Sequence, residues 1–82
     1  MDHPPFPVFL RLIGGFSLYR VESETSFTEV QRVGNRYVAH RISASTWPER
    51  LRIADMLANR DGSLTWAAPE EFDRWLLEAT WV

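Results

Sequence analysis

The sequence contains no cysteine among its 82 residues. This absence excludes disulfide bonds, thiolate metal sites, iron–sulfur clusters and a cysteine nucleophile, and it permits a reducing compartment. Long hydrophobic runs are missing as well: the apolar run that begins at Val8 ends before Arg11, whereas a bilayer-spanning helix needs about 20 apolar residues. No positively charged region precedes an apolar segment near Met1, which argues against a secretory signal. We therefore expect a soluble, cytoplasmic protein without a membrane partner.

Lysine is also absent, and all nine basic residues are arginine. Arginine suits bidentate recognition of phosphate or carboxylate, but eleven acidic residues leave a net charge of −2 and a pI near 5.6. This balance argues against a nucleic-acid-binding protein, which normally carries a basic excess. The sequence also lacks the GxGxxG, Walker, GxSxG and HExxH motifs. These absences predict a non-enzymatic protein with no cofactor.

The composition is that of an ordinary globular protein, with 45% apolar and 24% charged residues. Pro4, Pro5 and Pro7 fix φ and remove hydrogen-bond donors, so residues 1–7 are predicted to form an extended arm. No linker, repeat or low-complexity segment divides the remaining chain. Residues 8–82 are therefore predicted to form one domain.

Two glycine-containing turns predict two β-hairpins. Gly14-Gly15 separates β-rich runs and favours a tight hairpin turn, with a bulge inside one longer strand as the alternative. Gly34-Asn35 separates residues 27–33 from residues 36–42 and suits a two-residue type II′ turn, which sets the strand register. The predicted pairs on one face are Val33 with Arg36, Gln31 with Val38, Glu29 with His40, and Phe27 with Ile42; on the other face they are Arg32 with Tyr37, Val30 with Ala39, and Thr28 with Arg41.

Two helices are predicted in the second half of the chain. Thr46 and Glu49 have the spacing of a capping box at the start of the first helix, and Gly62 suits its left-handed C-terminal cap. Pro69 opens the second helix, with Ala68 as its N-cap. The apolar stripes that we expect to face the core are Trp47, Leu51, Ala54 and Ala58, flanked by Ile53 and Leu57, in the first helix, and Phe72, Trp75, Leu76 and Ala79 in the second.

These elements predict an α+β fold. Its sheet is antiparallel and built from two hairpins, with four strands, or five if residues 63–66 form a short strand. Both helices follow the hairpins in the sequence, so we expect them to pack together on one face of the sheet.

An excess of apolar surface predicts an interaction domain. Two helices on one face leave the other face of the first hairpin uncovered, which makes Phe9, Ile13 and Tyr19 candidate interface residues. At 100° per residue, Leu77 and Trp81 lie together on the second helix, opposite its apolar stripe. We therefore predict a small protein-interaction or regulatory domain that associates with itself as a homodimer or binds another protein. Alternatively, Trp81 folds back onto its own domain, or the outer sheet face is the interface.

Binding of single-stranded nucleic acid is the alternative function. Arg32, Tyr37 and Arg41 share one predicted sheet face, where an aromatic ring between two guanidinium groups could stack on a base. The net acidic charge disfavours this alternative.

An enzymatic role ranks third. His40 is predicted to lie opposite Glu29, but catalysis would require a cleft and a third polar group. The only other imidazole is His3, so no convergent set of metal ligands is predicted. The pair is therefore interpreted as a structural cross-strand contact.

Overall fold

The computed structural model describes residues 5–82, so the first four residues of the predicted arm, including His3, lie outside the described residues. Phe6, in the described part of the arm, packs against a hydrophobic cluster of the core. The elements in chain order are β1 (Val8–Leu12), β2 (Ser17–Ser23), β3 (Ser26–Val33), β4 (Arg36–Ser43), α1 (Trp47–Ala58), β5 (Leu64–Trp66), α2 (Pro69–Glu78) and β6 (Ala79–Trp81).

The six strands form one mixed sheet in the order β5-β1-β2-β3-β4-β6. Strands β1 to β4 pair antiparallel in sequence order, β5 pairs antiparallel with β1, and β6 pairs parallel with β4. The α+β class is confirmed, but the sixth strand and its parallel pairing differ from the predicted antiparallel sheet. A parallel pair needs a long crossover connection, which the chain supplies through α1, β5 and α2.

Both hairpins form, and the register predicted for the second one is confirmed at every pair from Val33↔Arg36 to Phe27↔Ile42. Gly34 has φ 64°, as the first central position of a type II′ turn requires. In the first hairpin, the connection between β1 and β2 spans residues 13–16, so the tight turn on the glycine pair is wrong, as is the bulge alternative.

The two helices pack on opposite faces of the sheet, so the prediction that both lie on one face is wrong. On the α1 face, Ile53 packs with Val21 and Phe27. On the α2 face, Phe72 and Trp75 pack in a second cluster. Successive strand residues point to opposite faces, and β1 and β2 are apolar on both, so one helix on each face buries more apolar area than two on the same face. We call this second cluster the α2-face cluster; it consists of Leu18, Val30, Ala39, Phe72 and Trp75.

The start of α1 is confirmed as a capping box. The Glu49 carboxylate accepts hydrogen bonds from the Thr46 backbone N–H at 3.0 Å and from the Ser45 backbone N–H at 3.1 Å. The Thr46 hydroxyl also donates to it, at 2.9 Å. The helix ends at Ala58, and its left-handed C-terminal cap is Asn59, with φ 51°, instead of the predicted Gly62. Gly62 is also left-handed, with φ 68°, but it lies in the turn after the cap.

The capping box predicts a pH-dependent contribution to stability. Hydrogen bonds from Thr46 and Ser45 hold the pKa of the Glu49 carboxyl below its ordinary value. The folded state therefore takes up this proton less readily than the unfolded state, and the stabilisation is present above the ordinary glutamate pKa. It is lost as the pH falls through the lower pKa of the folded state.

Glu49→Gln tests this contribution. We expect the variant to be less stable than the wild type at about pH 6 and the difference to shrink toward about pH 3, below the ordinary glutamate pKa. Urea unfolding across this range measures the difference between the two proteins, which cancels the other carboxyl groups. A difference that stays constant with pH would show that the Glu49 charge has no role in the cap.

The second helix begins as predicted, with Ala68 at the N-cap and Pro69 in the first turn. It ends earlier than predicted, because Ala79 is extended, with φ −80° and ψ 145°, and the chain continues into β6 beside β4. Trp81 is therefore a strand residue. The prediction that Leu77 and Trp81 form a pair on one side of α2 is wrong, because β4 offers the backbone of residues 79–81 a hydrogen-bonding partner that favours the strand.

Candidate interaction surfaces

The five residues predicted to form an interface fall into two groups. Phe9 packs edge-on against Phe72, with ring centroids 5.6 Å apart, and Tyr19 packs against Phe27, with centroids 6.2 Å apart. These two side chains are partly buried within the domain. In contrast, Ile13, Leu77 and Trp81 are 57%, 88% and 54% exposed. The structure therefore leaves three of the five residues accessible, on separate elements.

The outer edge of β6 is one candidate surface. The Val82 N–H donates to the Ala39 carbonyl of β4 at 2.9 Å. Backbone groups alternate in direction along a strand, so the N–H and C=O of Trp81 point away from β4 toward the outer edge of the sheet. Residues 79–82 carry no charged side chain, although charges and prolines commonly protect edge strands from pairing. In residues 5–82, β6 is the last strand on this side of the sheet, and its outer edge is open.

A side chain blocks part of the opposite edge of the sheet. On β5, Ser63 and Ala67 bond to β1 through their backbones, so the N–H and C=O of Leu64 and of Trp66 point outward. The Asn59 side-chain amide binds both groups of Leu64: its Nδ2 donates to the Leu64 carbonyl at 2.7 Å, and its Oδ1 accepts from the Leu64 N–H at 3.0 Å. The amide thus occupies the place of a neighbouring strand at Leu64 but not at Trp66. The two edges of the sheet differ in that only the β5 edge carries such a block.

A second candidate surface lies on the outside of α1. Trp47 is 72% exposed and Leu51 is 43% exposed, whereas Ile53 is buried. The helix thus uses Ile53, with Met56 and Leu57 partly buried beside it, to contact the sheet. The flanking Ile53 and Leu57 face the core as predicted, but the prediction for the central stripe is wrong, because Trp47 and Leu51 are exposed. Ala54 and Ala58 are half-buried and lie on the same side of the helix as Trp47 and Leu51. We call this stripe the α1 outer stripe; it consists of Trp47, Leu51, Ala54 and Ala58.

A groove of about 400 Å³ runs between α1 and the turn joining β2 to β3. Leu57 and Ala54 contribute apolar lining, and Glu24 and Arg50 add charges of opposite sign. Trp47 lies beside this groove and lines part of it. The exposed apolar surface of α1 is therefore concave on one flank and contains a projecting indole.

The residues predicted for nucleic-acid binding lie on the α2 face. Arg32 and Arg41 are exposed, but the ring of Tyr37 packs against Trp75 with centroids 5.0 Å apart. Since α2 covers the face on which a base would stack, the stacking platform assumed for the nucleic-acid alternative is occupied by the domain's own tryptophan.

A polar row crosses the α1 face, where Tyr19, Glu29 and His40 are cross-strand neighbours. Burial raises the pKa of the Tyr19 hydroxyl above its ordinary value, and the nearby Glu29 charge raises the pKa further. Tyr19 is thus the third polar group that the enzymatic interpretation requires. However, the grooves of about 540 and 400 Å³ beside α1 are lined by other residues, which favours a structural role for the row.

Metal ligands, membrane-spanning helices and similarity to known proteins also bear on function. In the described part of the chain, no group of three or more histidine, aspartate or glutamate side chains could hold a metal ion. None of the helices within residues 5–82 is long and apolar enough to cross a membrane. No protein family, characterised protein or solved structure matches this chain.

Proposed function

We propose that this protein is a non-enzymatic protein-interaction domain that binds an extended segment of a partner polypeptide along the outer edge of β6. The observation that carries the proposal is the difference between the two sheet edges. Asn59 binds the outward backbone groups of Leu64 and so blocks β5 beside Trp66, whereas the outward backbone groups of Trp81 on β6 face an edge without such a block.

Binding at an open edge uses the hydrogen-bonding groups of the backbone. An extended peptide can add itself as a seventh strand, with backbone bonds providing affinity and side chains at alternate positions providing specificity. Trp81 supplies the large amphipathic side chain that is typical of binding hot spots. Trp81 pairs with Ala39 of β4, which is buried in the α2-face cluster. The site therefore combines an open backbone edge with an indole beside the core.

Helix α2 fixes the position of β6. The Ala79 N–H donates to the Leu76 carbonyl, so β6 continues directly from the last turn of the helix. Trp75 anchors that helix in the α2-face cluster. One end of β6 is thus fixed by a helix that is anchored in the core. Such a strand loses little conformational entropy when a partner pairs with it, and this favours binding.

Two substitutions of Trp81 separate the contribution of its indole from that of its backbone N–H. Trp81→Ala removes the indole, and Trp81→Pro also removes the outward N–H; proline is tolerated on an edge strand where the N–H faces solvent. The probe is a set of short peptides with alternating valine and threonine, and binding is followed by amide NMR shifts and by fluorescence anisotropy. We expect Trp81→Ala to weaken binding and Trp81→Pro to weaken it further by about fivefold or more, the worth of one hydrogen bond.

Trp66→Ala is the matched control. Trp66 is also an exposed tryptophan on an edge strand, and its backbone groups also point outward. However, the Asn59 amide occupies the outer side of β5 at Leu64, so a peptide cannot pair along this strand. We expect this variant to bind the peptides like the wild type. The proposal fails if Trp66→Ala weakens binding as much as Trp81→Ala, if alanine and proline at position 81 behave alike, or if the wild type shifts no β6 amide.

A further inference from the structure

The outer side of α1 has the residue spacing of a helix–helix seam. Trp47, Leu51, Ala54 and Ala58 follow one another at intervals of four, three and four residues. Alternating intervals of four and three are those of the a and d positions in a coiled coil, which keep one side of a helix against a partner helix. Since Ile53 makes the buried contact with the sheet, this seam is additional to the core contact.

We propose that α1 packs against α1 of a second copy of this chain, antiparallel and around a two-fold axis, so that the protein is a homodimer. This surface is on the opposite side of the sheet from α2 and does not include β6. The proposed dimer is thus independent of the proposed peptide site, and it leaves both open β6 edges accessible.

The sizes of the four side chains fit this arrangement. If the two-fold axis crosses the helix midway between Leu51 and Ala54, then Leu51 lies opposite Ala54 of the other copy. The same axis places Trp47 opposite Ala58 of the other copy. Each large side chain therefore meets a small one, which lets the helix axes approach to about 8–10 Å with interdigitated side chains.

A parallel arrangement fits less well. It would place Trp47 against Trp47 at one end and Ala58 against Ala58 at the other, so the seam would be crowded at one end and hollow at the other. Crowding and cavities both cost free energy in a packed interface. The order of side-chain sizes along the stripe therefore selects the antiparallel orientation.

Charges beside the seam allow a copy of the same surface to approach. Glu24 and Arg50 lie along the groove on one flank, and Arg52 and Asp55 lie along the other. The second groove is also lined by Arg60 and Asp61, so each flank carries equal numbers of acidic and basic residues. A two-fold dimer brings a surface against itself, so balanced flanks avoid the repulsion that a surface of one sign would produce.

The contact is small, which sets the expected affinity. Each copy exposes about 200–300 Å² of apolar side chain at Trp47 and Leu51, judged from the usual size of these side chains. The groove flanks add polar area. We expect a total buried area of about 1,000 Å², which is at the low end for specific interfaces. We therefore expect a dimer with a dissociation constant of about 1–100 μM.

Sedimentation equilibrium on the wild type, Leu51→Glu and Leu77→Glu tests the surface. Both variants place a glutamate at an exposed helical leucine, but only Leu51 lies on the α1 outer stripe. We expect Leu51→Glu to raise the dissociation constant about tenfold or more, because a carboxylate would be desolvated at the seam. Leu77→Glu should change it less than about twofold. Circular dichroism checks that both variants remain folded.

Single cysteines test the orientation, because the chain has none of its own. In the antiparallel dimer, the two copies of residue 54 lie near the axis, whereas the two copies of residue 58 are about 16 Å apart along the helices. Under mild oxidation, Ala54→Cys should therefore cross-link into a dimer faster than Ala58→Cys. The proposal is overturned by a wild type that is monomeric at about 200 μM, by equal effects of Leu51→Glu and Leu77→Glu, or by Ala58→Cys cross-linking as fast as Ala54→Cys.

Discussion

Replacing Phe72 with alanine is expected to lower the free energy of unfolding by about 3–5 kcal/mol, the usual cost of removing a buried aromatic side chain. Phe72 is fully buried in the α2-face cluster. Its ring packs edge-on against Phe9, and the Arg20 guanidinium lies 5.0 Å from the ring centroid. No other side chain of α2 is as deeply buried, so the cavity would lie between the helix and the sheet.

The loss should extend to β6. This strand begins where α2 ends, so a helix that packs loosely cannot hold β6 against β4. Urea unfolding followed by tryptophan fluorescence measures the stability loss. Amide hydrogen exchange at Val82, whose N–H bonds to the Ala39 carbonyl, reports whether β6 detaches. We expect this amide to exchange faster in Phe72→Ala than in the wild type.

Leu77→Ala is the control on the same helix. Leu77 is exposed, so its removal should change the free energy of unfolding by less than about 0.5 kcal/mol. If Phe72→Ala were equally mild, α2 would not be anchored through this ring. The result matters for small domains, whose total stability lies toward the low end of about 5–15 kcal/mol.

Asn59→Gly is expected to produce the second-largest effect, a loss of about 1–3 kcal/mol. The substitution removes both hydrogen bonds to Leu64 and leaves the outward groups of β5 without their partner. Glycine adopts the left-handed conformation of residue 59 readily, so the loss reports the side-chain amide and the greater freedom of the unfolded chain. Asn59→Ala should cost about 1 kcal/mol more, because alanine is strained at φ 51°.

Hydrogen exchange at the Leu64 amide gives the local readout for Asn59→Gly. We expect exchange at this amide to accelerate, and the variant to aggregate more readily because the β5 edge is then open at Leu64 as well as at Trp66. Asp61→Ala is the control in the same loop, where the Asp61 carboxylate accepts the Ser63 N–H at 3.0 Å on the exposed surface. An Asn59→Gly protein as stable as Asp61→Ala would contradict the role assigned to the amide.

The hairpin of β3 and β4 shows how much local sequence can predict. Gly34-Asn35 permits a two-residue turn, and a two-residue turn leaves only one register, so all pairs from the turn to Phe27 and Ile42 follow. The capping box of α1 is equally local, since Thr46 and Glu49 are three residues apart. Both features depend on contacts within a short stretch of chain.

The side of α1 that faces the sheet was not predictable in the same way. The helix has apolar residues on two sides, with Trp47 and Leu51 on one and Ile53, Met56 and Leu57 on the other. Periodicity shows that a helix is amphipathic but cannot choose between two apolar sides. The choice depends on the shape of the sheet surface, and that surface consists of residues far away in the sequence, such as Val21 and Phe27.

The candidate site on β6 was predicted in part. Trp81 stands out in the sequence as an apolar residue without a place in the core, and it is exposed in the structure. Its assignment to a helix was wrong, because strand pairing with β4 joins residues about 42 positions apart. One sequence feature pointed to the role of Asn59 beside β5. It is an asparagine at the end of a helix, where the left-handed conformation is common.

By itself, the sequence determined the α+β class, the two hairpins, the start of each helix and the absence of thiol chemistry. These features follow from turn residues, caps and composition, which act over a few residues. The tertiary structure alone decided that the helices cover opposite faces, that residues 79–81 form a strand parallel to β4, and that the Asn59 amide blocks one sheet edge at Leu64. The physical reason is that each of these features depends on burial and hydrogen bonding between segments that are distant in the sequence. Such segments contact each other only when the whole sheet has formed.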